Sequence, residues 1–148
     1  MISRNCFRRE IMVSASQKNL ETIKTAYAAF QRGDIAAVLD LVADDVDWAS
    51  EASGTGAPWF GPHKGKQGAG EFFDALGKTM EIEDFTPITY ATTDDGDVLA
   101  VVRYAARSRE TGKVAKMNLH HWWRFTNGKI SFYRGTEDTA LTVGALAQ

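Results

Sequence analysis

The chain has 148 residues, 44% of them hydrophobic and 11% aromatic, and 17 basic against 19 acidic side chains leave a formal charge of −2. A chain of this length buries roughly two-thirds of the surface it exposes when unfolded, which excludes a small scaffold dependent on staples. Its one cysteine, Cys6, excludes a disulfide framework and points to a reducing, cytoplasmic setting, and the near-neutral charge excludes a dedicated nucleic-acid binder.

Residues 1–16, MISRNCFRREIMVSAS, show no sustained periodicity, and the apolar stretch Ile11–Val13 is too short for a signal core or a membrane span. They read as a disordered leader, either an Arg-rich organellar presequence or residues ahead of a translation start at Met12. Residues 17–148 read as one domain.

A first helix is predicted over Asn19–Arg32, with Leu20, Ile23, Tyr27 and Phe30 on one face. Gly33 ends it, and Asp34 is placed to cap a second helix over Ile35–Val42. Period-two patterning then puts Val46, Trp48 and Ser50 on one face of a strand. Residues 51–66 form a Gly- and Pro-rich loop carrying Trp59 and Phe60, and a third helix follows over Gln67–Met80. Gly61–Lys66 lacks the spacer and the Ser/Thr of a phosphate loop. His63 and the adjacent His120 and His121 make no zinc pattern, since neighbouring strand residues point to opposite faces.

Strands are predicted over Thr86–Thr92, Asp97–Arg107, Val114–Phe125 and Lys129–Thr136, with Asn127-Gly128 as a hairpin turn. A final short helix starts at Asp138 or Thr139. Helices followed by long hairpins make an α+β fold, a curved sheet with a concave apolar side. On Val114–Phe125 the inward set is Ala115, Met117, Leu119, His121, Trp123 and Phe125, so a titratable ring sits in the middle of an apolar face. Trp122 and Val102 are read as bulk on the outer face, to be covered in a homodimer.

The runs AYAAFQRGDIAAVLDLVADDVDW, WFGPHKGKQGAGEFF, HHWWRFTNGKI and FYRGTEDTAL resemble the SnoaL-like, ketosteroid-isomerase-related group of the nuclear transport factor 2-like superfamily. The resemblance implies a cone-shaped, mostly antiparallel sheet wrapped on three N-terminal helices (a cystatin-like roll), usually dimeric through its open sheet. It covers isomerases, cyclases, hydratases, epoxide hydrolases and carriers, so function has to be argued from the site. Counting from the shared motifs, the steroid-isomerase base falls on Ser50, its oxyanion tyrosine on Ala26 and its oxyanion aspartate on His121. Tyr27, one place from Ala26, is turned about 100° away on a helix. The epoxide-hydrolase pattern needs an Asp at Ala105, two residues beyond Arg103. The cyclase acid–base Asp falls on Asp138.

The expected function is therefore a small-molecule-binding cone performing cofactor-free acid–base chemistry on a carbonyl-bearing or polycyclic apolar substrate. His121 serves as acid, base or oxyanion donor, with Asp138 as its partner or as a helix cap, and Glu137 faces solvent or competes as the cap. Tyr27, Trp48, Trp59, Phe73, Tyr104, Trp123 and Tyr133 line the pocket. No metal, nucleic acid or membrane partner is implied. The alternative is a non-catalytic ligand carrier or a dimerisation module.

Overall fold

A computed structural model describes residues 4–148. Ten elements follow one another: α1 (Arg4–Gln31), α2 (Ile35–Asp40), β1 (Val42–Ser50), β2 (Gly61–Lys64), α3 (Gly65–Thr79), β3 (Met80–Thr92), β4 (Val98–Ser108), β5 (Val114–Thr126), β6 (Lys129–Thr136) and α4 (Thr139–Leu146). The strands form one six-stranded sheet in the order β2-β1-β6-β5-β4-β3. All neighbours run antiparallel except β1 and β6. The α+β roll inferred from the residues is the fold observed, a curved sheet that does not close, with α1 and α3 against its inner face.

Local chemistry explains the turns. Asp34 caps α2 by accepting from the Ala37 N–H, and Asn127 and Gly128 both adopt positive φ in the β5–β6 hairpin, as that tight turn demands. On α1, Ile23, Ala26, Tyr27 and Ala29 are buried, with Leu20 and Phe30 half-buried beside them. The stripe continues into a core of Trp48, Phe72, Val98, Trp123, Ile130 and Tyr133.

The structure departs from the sequence reading in four places. The first helix begins at Arg4, so residues 4–16 are helical rather than an unstructured leader; residues 4–10 are exposed, and a solvated stretch of helix has no apolar stripe to announce it. Residues 61–64, expected in a loop, pair as an edge strand with residues 47–50 of β1. The strand predicted from Thr86 starts at Met80, because Glu83 and Asp84 break its apolar alternation. They bond across the strands to Arg107 and Arg103, each at 2.6 Å. Finally, Val102 is fully buried: two residues from Tyr104, it shares the inner face. That removes Val102 from the outer bulk. The outer rings Trp122 and Phe132 carry Arg124 at 4.7 Å and 5.3 Å, and Phe132 also carries Arg134 at 4.2 Å. No helix among the described residues is long and apolar enough to cross a membrane.

Candidate functional site

The register of the four inner strands builds the site. Gly135 on β6 is the partner of Ser50 on β1 and of His121 on β5, and His121 is in turn paired with Ala100 on β4. Trp48, Tyr133, Trp123 and Val98 form the next row. Small residues on both sides of His121 leave a hollow over the sheet, walled by large rings and closed from the other side by α1 and α3. The result is a cavity of about 70 Å3. All seven pocket residues inferred from the sequence line it: Tyr27, Trp48, Trp59, Phe73, Tyr104, Trp123 and Tyr133. It opens where Thr136 is exposed and Glu137 half-buried.

His121 is buried, and its Nδ1 lies 2.7 Å from the Tyr27 hydroxyl. The Trp123 indole donates to the same hydroxyl at 3.1 Å. Burial holds the Tyr27 phenol well above its ordinary pKa, the Trp123 bond offsetting only part of this, so the hydroxyl keeps its proton. Because its oxygen already accepts from Trp123, we assign its proton to Nδ1 from the hydrogen-bond network. Burial, with His120 adding a little, pushes His121 down to about 3. At neutral pH the ring is therefore uncharged, with its proton on Nε2. Nε2 has no partner among the described residues yet is not sealed. Of the buried side-chain polar atoms there, Trp48 Nε1 alone is both closed off and unpaired. Of the three roles open to His121 from sequence, this state leaves one: hydrogen-bond donation to an oxygen in the cavity. Tyr27 is thus not turned away, as the one-residue offset had implied; the pose of α1 aims it at His121.

Asp138 does not join His121. It is exposed, and its Oδ1 accepts from the Leu141 N–H at 3.1 Å as the cap of α4. The carboxyl lining the cavity is that of Glu137. Trp59 Nε1 donates to its Oε1 at 2.8 Å, and the Thr142 hydroxyl donates to Oε2. Burial raises the pKa of Glu137, and the bonds from Thr142 and Trp59 draw it part of the way back. The signal for Glu137 is parity: Tyr133 and Gly135 point inward on β6, Glu137 keeps that phase one residue past the strand's end, and Asp138 is out of phase. Replacing Asp138 with Ala should cost about 1 kcal/mol, the worth of an N-cap. The corresponding drop of about 2–4 °C in a thermal melt should come with unchanged ligand binding. Impaired binding at unchanged melting temperature would restore Asp138 to the site.

A curved α+β sheet of this kind is the fold of the nuclear transport factor 2-like proteins, as solved structures show. A protein of that superfamily from Burkholderia pseudomallei superposes with a TM-score of 0.81 at 22% identity, over 88% of this chain and 98% of its own. One from Burkholderia thailandensis gives 0.77 at 26% identity, over 88% and 98%. TerC, crystallised with polyporic acid, gives 0.76 at 23% identity, over 87% and 98%. The chain belongs to the SnoaL-like domain family, which matches residues 23–133. No curated protein matches the sequence.

Proposed function

We propose that the protein binds a carbonyl-bearing small molecule and catalyses proton transfer next to that carbonyl without a cofactor. The observation that carries this reading is the Trp123–Tyr27–His121 chain, which leaves a neutral imidazole with a fixed N–H facing the cavity. In the step, the Glu137 carboxylate takes a proton from the carbon beside the carbonyl. The C–H electrons move toward the carbonyl oxygen, which accepts a hydrogen bond from His121 Nε2, and the proton returns to the same or a conjugated carbon. A raised pKa makes Glu137 a stronger base than an ordinary carboxylate, and a preset donor stabilises the charge that develops on oxygen.

The cavity size favours a small reacting group. An apolar cavity of about 150 Å3 accepts benzene, and the space here is about half that. The enclosed part therefore suits a carbonyl head, with the rest of the ligand leaving between Thr136 and Glu137. The bound polyporic acid of TerC is consistent with oxygenated rings as ligands of such a cone.

The test is deuterium exchange into the positions beside the carbonyl of cyclohexanone in D2O, followed by NMR. The protein should accelerate exchange over buffer, and His121→Phe, which removes the ring N–H, should lower the enzymatic rate by about 100-fold, the worth of one oxyanion donor. Saturable binding without exchange would instead favour the non-catalytic carrier.

A further inference from the structure

The reading of the cavity as a small-molecule site can be sharpened into a substrate class, because its polar groups are unequally distributed. A Cβ built on Gly135 would lie 2.0 Å from the Tyr133 Oη, so that hydroxyl stands directly over Gly135. Gly135 is the register partner of both Ser50 and His121, which places the Tyr133 hydroxyl between those two side chains. Ser50, His121 and Tyr133 are all buried. The hydroxyls of Ser50, Tyr133 and nearby Tyr104 take no hydrogen-bond partner among the described residues, and none is sealed from the cavity. Burial keeps both tyrosines protonated. The inner end of the cavity thus presents O–H and N–H donors and no carboxylate, and no Lys or Arg lines the cavity.

Glu137 is the carboxylate of the lining, two residues past Gly135 and one beyond the end of β6. Each of its oxygens already accepts one hydrogen bond and keeps capacity for another. Donors at the inner end and a carboxylate past the end of β6 define a polarity that a ligand has to match.

We propose that the cavity selects single-ring compounds with a carbonyl or enolate oxygen on one edge, received by His121 Nε2 and the Tyr133 hydroxyl, and a hydroxyl on the opposite edge, received by Glu137. Tyr133 is then a second oxygen-binding residue beside His121. An amine in place of the carbonyl is disfavoured at that end, because its cationic form meets the His121 N–H and finds no carboxylate there.

Isothermal titration calorimetry of the full chain with matched probes tests this. 4′-Hydroxyacetophenone should bind at least tenfold more tightly than ethylbenzene, and 4′-methoxyacetophenone, which cannot donate, should fall between them. Benzylamine should bind more weakly than 4′-hydroxyacetophenone. Tyr133→Phe should reduce acetophenone affinity toward that of ethylbenzene and leave ethylbenzene unchanged. The ligand series on the unaltered protein decides the matter even if that variant folds poorly. Equal affinities across the series, benzylamine included, would overturn the polarity while leaving the pocket intact. Failure of every probe to bind would overturn both the polarity and the small-molecule reading.

Discussion

Lowering the pH from 7 to 4 should cost the protein roughly 3 kcal/mol of stability through a single ring, that of His121. Folded, the ring is held neutral down to about 3 by burial. Unfolded, it takes up a proton near its ordinary value of about 6.5. Between those values the unfolded chain binds more protons, so stability is lost as the pH falls. Glu137 works the other way. Its folded pKa is raised, so its contribution is present at low pH and declines as the pH rises beyond the usual carboxylate range. Asp84 is lowered chiefly by its bond to Arg103 and loses its contribution as the pH falls, but an exposed pair adds little. His121→Gln separates these effects, because the glutamine carbonyl can accept from Tyr27 but does not titrate. Urea unfolding at pH 7 and pH 4 should show the parent losing about 3 kcal/mol more than the variant. Equal losses would mean that the ring is not buried in its neutral form.

Gly135→Ala should destabilise by about 1–3 kcal/mol, the range for forcing an atom into a filled space. The added methyl would meet the Tyr133 Oη at 2.0 Å and Cζ at 2.7 Å. The ring cannot swing clear, since Trp48 lies 4.3 Å and Trp123 4.5 Å from it, centroid to centroid. In a Tyr133→Phe background the same alanine should cost less, with a coupling of about 1 kcal/mol in a double-mutant cycle. Strict additivity would show that the hydroxyl does not occupy the space over Gly135. Thermal melts of the four proteins supply the measurement.

How far the residues disclose this architecture differs between its parts. Alternation on β5 correctly separates His121 and Trp123 from His120 and Trp122, because one face of the strand is buried and the other wet. The same rule carries Trp48 and Ser50 inward on β1. Applied to β4, the rule puts Val102 inward beside Tyr104, and continued past the end of β6 it reaches Glu137. Asp138 has the clearer local signal, a carboxylate ahead of a helix, but capping tells only where a helix starts. The Tyr27–His121 bond is another matter. It joins residues 94 positions apart and depends on the pose of α1 over the sheet, which no spacing within either segment encodes. Residues 4–10 show the opposite limit, a stretch of helix whose exposed side chains leave no pattern to read.

The parallel pairing of β1 with β6 governs when this cavity can exist at all. Trp48 and Ser50 find their partners at Tyr133 and Gly135, more than 80 positions later in the chain. During synthesis, the helices and the β3–β4 hairpin can form from contacts already available, while the wall between Ser50 and His121 waits for the final strand. Contacts of such long range are slow to form, since loop closure precedes any gain from the pairing. The pocket is therefore among the last parts of the molecule to be built, completed when the end of the chain is threaded between its beginning and its middle.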